Sequence, residues 1–167
     1  DWDNDGWLDL YVSQHISTLP PNRLYDFNGT PPATDIAPAV DVDNPLESFT
    51  CATADIDDDG DLDLLVSDRE DRLKLYINHE GQLRNWCKFR VVGEGANPFG
   101  IGTVIDVQTG SDRRIREVVA GNSFKSQEDL VQHFGLGSAQ TLDEIVVDWP
   151  GGTTRTLTGY SIKHTWT

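Results

Sequence analysis

Residues 55–64 read Asp-Ile-Asp-Asp-Asp-Gly-Asp-Leu-Asp-Leu, and residues 1–10 read Asp-Trp-Asp-Asn-Asp-Gly-Trp-Leu-Asp-Leu, the same phrase 54 positions earlier. In both, acidic side chains recur at alternate positions, a glycine stands sixth and an apolar run follows. The likeness continues past the loops. Leu10-Tyr-Val-Ser corresponds to Leu64-Leu-Val-Ser, and Asn22-Arg-Leu-Tyr-Asp-Phe-Asn-Gly corresponds to Asp71-Arg-Leu-Lys-Leu-Tyr-Ile-Asn. These flanks are rich in β-branched, aromatic and leucine residues, so each reads as a strand. The repeated unit is strand, acidic loop, strand, turn, strand.

Calcium is a hard cation that takes six to eight oxygens at about 2.3–2.6 Å, and alternating aspartates followed by a glycine can wrap a chain around it. In the first loop Asp1, Asp3 and Asp5 are expected to give side-chain oxygens, Trp7 its carbonyl and Asp9 a closing carboxylate, with Gly6 allowing the turn. In the second, Asp55, Asp57 and Asp59, the carbonyl of Asp61, and Asp63 play those parts around Gly60. An EF-hand needs a glutamate at the twelfth loop position between helices. Here that position is Val12 or Val66, between strands. Ca2+ is therefore the expected cofactor, and the plain alternative is a pair of solvated acidic turns.

The charge pattern agrees. The 167 residues carry 28 acidic and 13 basic side chains, net −15. Residues 1–84 hold 19 acidic and 5 basic, and residues 85–167 hold 9 and 8, so the excess belongs to the first half. Such a charge repels nucleic-acid phosphate and anionic membranes and attracts cations. No apolar run approaches the ~20 residues of a membrane-spanning helix, so no membrane insertion is expected. The absence of methionine and the opening inside an acidic motif suggest a piece of something longer.

The chain reads as all-β, with two repeats over 1–84 and a small β-domain over 85–167. Between the repeats, prolines at 31, 32, 38 and 45 favour an extended connector or an edge strand. From Asn85 onward, short strands are expected at 86–92, 103–108, 114–119, 144–148 and 153–157, between glycine-rich turns. Residues 126–134 alone could make a helical turn or two. Cys51 and Cys87 suit neither a zinc site nor a CxxC motif. They are a candidate disulfide, closing a loop of about 36 residues for roughly 3–4 kcal/mol, or two separate thiols.

Residues 1–84 resemble FG-GAP or VCBS repeats of integrin-like β-propellers, in which such aspartate loops hold calcium. The second half resembles the ASPIC/UnbV domain, through Asn85-Trp, Asn97-Pro-Phe-Gly-Ile-Gly-Thr, Arg116-Glu-Val with Gly121, Ser126-Gln, His133-Phe-Gly-Leu-Gly and Val147-Asp-Trp-Pro-Gly-Gly. The same modules in this order occur in secreted proteins similar to cartilage acidic protein and in many bacterial extracellular proteins. The resemblance implies an extracellular, calcium-binding, non-catalytic role. Such propellers need about seven blades, and this chain has material for fewer than two. Its strand edges then need cover from further sequence, from its own C-terminal domain or from another copy, and the last option gives a head-to-tail polymer.

The remaining motifs point the same way. Asn28-Gly-Thr30 is an N-glycosylation sequon in a turn, and Thr18, Thr30 and Thr34 lie near prolines, as O-linked sites do. His133 has no nucleophile elbow or orienting acid in sequence context, so it reads as structural. The aspartates crowd together instead of standing apart as glycosidase carboxylates do. His15, His79 and His164 lack zinc spacing, and Gly93, Gly95, Gly100 and Gly102 read as turns. Trp149 beside Pro-Gly-Gly ends a strand, where an aromatic ring can also stack on sugar. Two roles follow: a structural or adhesive subunit that assembles with itself, and a module that binds an extracellular glycan or matrix protein.

Overall fold

A computed structural model describes residues 1–16, 18–69 and 72–167. It is all-β: the described residues form thirteen short strands in four small sheets, and helix among them is limited to a 3-10 turn at Gly81–Leu83. No helix among them is long and apolar enough to cross a membrane.

The first repeat forms an antiparallel sheet of β1 (Leu10–Val12), β2 (Arg23–Asp26) and β3 (Thr34–Asp35). The second forms a sheet of β4 (Ser48–Ala54), β5 (Asp63–Asp68) and β6 (Leu73–Tyr76). β1 and β5 are counterparts, as the 54-residue spacing predicts. The following strands correct the expected alignment. Leu10 pairs Tyr25 and Leu64 pairs Tyr76, while Tyr11 pairs Leu24 and Leu65 pairs Leu75. Tyr25 thus matches Tyr76 at an offset of 51, two residues from the alignment of Asn22 with Asp71. Asp71 itself lies outside the described residues. A shift of two preserves which face each side chain occupies, so the sequence pattern alone does not separate the two registers. The proline-rich connector supplies β3, an edge strand.

The second half is a two-sheet sandwich. One sheet has the order β10-β7-β13, from Gln132–Gly137, Asn85–Phe89 and Thr165–Trp166. The other is β12-β11-β8-β9, from Thr154–Leu157, Glu144–Asp148, Val104–Thr109 and Asp112–Glu117. Alternation along the strands sends Cys87, Phe89, Phe134 and Leu136 from the first sheet, with Ile105, Val107 and Ile145 from the second, into one core. Phe89 and Phe134 meet edge-on there at 5.8 Å. Residues 126–134 hold no helical turn. Their last three residues begin β10, which runs on through Gly135 and Gly137, both poor helix formers.

β7 decides how the halves meet, because Trp86, Cys87, Lys88 and Phe89 are all buried. Cys87 and Phe89 face the sandwich core. Trp86 and Lys88 face the other way, opposite Gly135 and His133 of β10, and that second face covers the acidic loops.

Candidate metal sites

The two acidic loops are built alike. Asn4 and Asp58 both adopt left-handed backbone, at φ 61° and 60°, and Gly6 and Gly60 follow at 99° and 97°. Few side chains tolerate such angles, and glycine does so freely. The hydrogen bonds repeat as well. Asp9 Oδ2 accepts from the Trp2 amide and Asp63 Oδ2 from the Ile56 amide, both at 2.8 Å. The other oxygen of each closing aspartate accepts from the following strand's end, Phe27 or Asn78, at 2.9 Å. The Gly6 and Gly60 amides donate to Asp1 Oδ1 and Asp55 Oδ2 at 3.3 and 2.9 Å.

This scaffold gathers Asp1, Asp3 and Asp9 in one cluster and Asp55, Asp57 and Asp63 in the other, with one oxygen of each residue within 4.8 Å of the others. Two unit charges at that distance repel by on the order of 1–3 kcal/mol at effective dielectric constants between water and protein surface. A cation among them would remove that cost. Asp5 and Asp59 stand apart from these triads and accept from the amides of Trp7 and Asp61, at 2.8 and 3.1 Å. Burial raises the pKa of Asp5. Asp61 is fully buried and its Oδ2 accepts from the Gln82 amide at 3.2 Å, while burial pushes its carboxyl up to about 7. Asn4 Oδ1 and Asp61 Oδ1 are buried with no hydrogen-bond partner. The donor set is all oxygen, as a hard cation requires, so the residues fit calcium. The Trp7 side chain is 56% exposed and reaches over Gly29 in the sequon turn. Asn28 is exposed and its Oδ1 accepts from the Thr30 amide at 3.3 Å.

Residues that sequence reading did not single out tie the loops to the sandwich. The buried Asn4 side chain donates to the carbonyls of Gly60 and Gly81, both at 2.8 Å, joining one loop to the other. The Gly135 amide donates to Asp1 Oδ2 at 3.1 Å and the Gly137 amide to the Asn4 carbonyl at 2.8 Å. Lys88 Nζ lies 2.6 Å from both Asp55 Oδ2 and Asp58 Oδ1, above the Trp86 ring. Burial opposes the Lys88 charge, but hydrogen bonds and attraction from the two aspartates outweigh it and raise the pKa. Arg84 donates to the Asp3 carbonyl at 2.7 Å and pairs with the Asp3 carboxylate. His133, which the sequence does single out as a structural residue, joins them: its Nε2 lies 3.0 Å from the Gly60 carbonyl.

Cys51 in β4 and Cys87 in β7 are free thiols in separate sheets, so the candidate disulfide is not formed. Burial pushes Cys87 up to about 12 and raises Cys51 as well. A cavity of about 880 Å3 opens between the repeats and the sandwich, with Leu10, Leu64, Lys88, Arg116 and His133 in its lining.

Comparison with known proteins matches residues 1–66 to the FG-GAP-like repeat family and residues 93–167 to the family described as ASPIC and UnbV. Cartilage acidic protein 1 of Homo sapiens and that of Mus musculus are each 27% identical over 163 residues, covering 91% of this chain. The alignments take in 24% and 25% of those proteins, so the chain spans about a quarter of their length.

Proposed function

We propose, from the premise that this chain carries FG-GAP-like repeats followed by an ASPIC and UnbV domain, that it is an extracellular, calcium-stabilised structural or adhesive module. It acts by binding and not by turnover. One observation carries the reading: two aspartate triads sit on loops with matching backbone angles and hydrogen bonds, and the sandwich is seated on both. Asp1, Asp3 and Asp9 hold one ion, Asp55, Asp57 and Asp63 the other. The bound ion supplies positive charge among carboxylates that otherwise repel. The chain's own residues do the rest: Asp9 and Asp63 fix the loop ends to the next strand, and Asn4, Lys88 and His133 transmit loop order to the sandwich.

Scanning calorimetry in calcium and in EDTA tests this. A site at a hundredfold excess over its dissociation constant adds about 2.7 kcal/mol, and a chain of this size gains roughly 2–4 °C per kcal/mol. Two sites predict a rise of about 10–20 °C, and an unchanged transition would return the loops to solvated turns.

The module associates with itself. The edge strands β3, β4 and β6 of the two repeat sheets offer backbone groups for strand sharing. Electron microscopy would show calcium-dependent polymers, and monomers that capture immobilised glycan or matrix protein would replace self-assembly with recognition.

A further inference from the structure

The two acidic loops are alike in themselves but are held from the sandwich by different chemistry. At the first, the neutral Gly135 amide donates to Asp1 Oδ2 at 3.1 Å. At the second, the Lys88 ammonium donates at 2.6 Å to Asp55 Oδ2, an oxygen that also accepts from the Gly60 amide, and at 2.6 Å to Asp58 Oδ1. The fourth loop position differs along with it. Asn4 is uncharged and fully buried, whereas Asp58 is acidic and its side chain is 83% exposed.

Lys88 has no room to step aside. Its side chain is 6% exposed, because β7 is the middle strand of its sheet, between β10 and β13, and the ammonium lies 4.9 Å from the centre of the Trp86 ring. Arg84 also meets a triad member, Asp3, but its side chain is 45% exposed, and such a surface pair is weak and readily released. A cation confined beside Asp55 offsets one of the three triad charges while no ion is bound. The same cation opposes a divalent ion that shares Asp55, since like charges repel at short range even through water. Asp58, outside the triad, remains a partner for the ammonium when Asp55 is so shared.

We propose that Lys88 is a tethered counter-ion of the second site. It holds that loop together in the absence of calcium and lowers the loop's affinity for calcium, so the site fills at a higher concentration than its carboxylates alone dictate. This rests on the metal reading above and names the residue that tunes it. A lysine that only positioned the loop would act with the opposite sign: its loss would disorder the ligands and weaken calcium binding.

Titration calorimetry of the calcium-stripped full chain with calcium chloride tests the proposal on the parent, Lys88→Met, Asp57→Ala and the double variant, with circular dichroism to establish folding. Unit charges 4 Å apart interact by about 1 kcal/mol in water, and a divalent ion doubles that. Lys88→Met should therefore bind one of two ions about tenfold more tightly, and in EDTA it should unfold at lower urea than the parent, because Asp55 and Asp58 have lost their counter-charge. Asp57→Ala removes an exposed member of the same triad, so in that background Lys88→Met should leave the affinity of the remaining ion unchanged. Lys88→Gln, which keeps a donor but no charge, should tighten calcium in the same direction and serves if Lys88→Met is unfolded in EDTA. Calcium binding that is unchanged or weaker in both lysine variants, while the parent binds two ions, overturns the counter-ion alone. A parent that takes up no calcium overturns the metal reading, and the counter-ion with it.

Discussion

His133, inside the C-terminal sandwich, meets the carbonyl of Gly60, the turning residue of the second acidic loop, at 3.0 Å. Burial holds the ring down at about 4, with the Gly60 contact pulling the other way. The unfolded chain takes up a proton below pH 6.5 that the folded chain refuses until about 4. Stability therefore falls as pH drops from 6.5 to 4 and stays low beneath, by at most about 3.4 kcal/mol at 1.36 kcal/mol per pH unit. In urea unfolding, the difference between the parent and His133→Gln should change over that window and nowhere else.

Asp61 has the opposite sign. Its carboxyl is pushed by burial up to about 7 from 3.8, so the folded chain keeps a proton that the unfolded chain releases, and stability falls as pH rises from 4 to 7. In EDTA, Asp61→Asn should melt above the parent at pH 8 and match it below pH 4. The two slopes oppose each other in the parent, so each variant should unmask the other's.

Ligand and scaffold roles separate within the second triad. Asp57 is exposed, whereas Asp63 is 1% exposed and accepts from the amides of both Ile56 and Asn78. Asp57→Ala should hold or raise the transition in EDTA, where one repelling carboxylate is gone, and shrink the calcium-induced rise. Asp63→Ala should cost about 2–4 kcal/mol in EDTA already, because two amides lose a charged acceptor.

Gly60 is closed to substitution on two counts. Its φ is 97°, and an added Cβ would stand 1.9 Å from the Trp86 indole. Gly60→Ala should cost about 3 kcal/mol or more through strain and overpacking, with a red shift in tryptophan emission as Trp86 is lifted off the loop.

Much of this was legible in the residues. The doubled aspartate phrase gives the repeats and the two acidic loops, though not that Asp5 and Asp59 stand apart from the triads, and Glu144–Asp148 reads as a strand from its alternation alone. The register of β2 against β6 was not legible, because two-residue steps look the same to an alternating pattern. β10 was hidden because Gly135 and Gly137 weaken any strand signal; their purpose is to let the backbone approach Asp1 and Asn4. Lys88 carried a faint signal, a charged residue between Cys87 and Phe89, but only the fold shows that it points at Asp55. Asn4 gave none, since an asparagine among aspartates reads as one more loop residue and its two acceptors lie 56 and 77 positions away.

The seam between Arg84 and Asn85 divides the chain by composition, yet Asn4, Asp1 and Gly60 are stitched across it to Gly137, Gly135 and His133. A protease that nicked the backbone at Arg84 would thus release no fragment: the two pieces would travel together through gel filtration until denaturant pulled them apart, and neither half made alone would carry the surface that its missing neighbour seals.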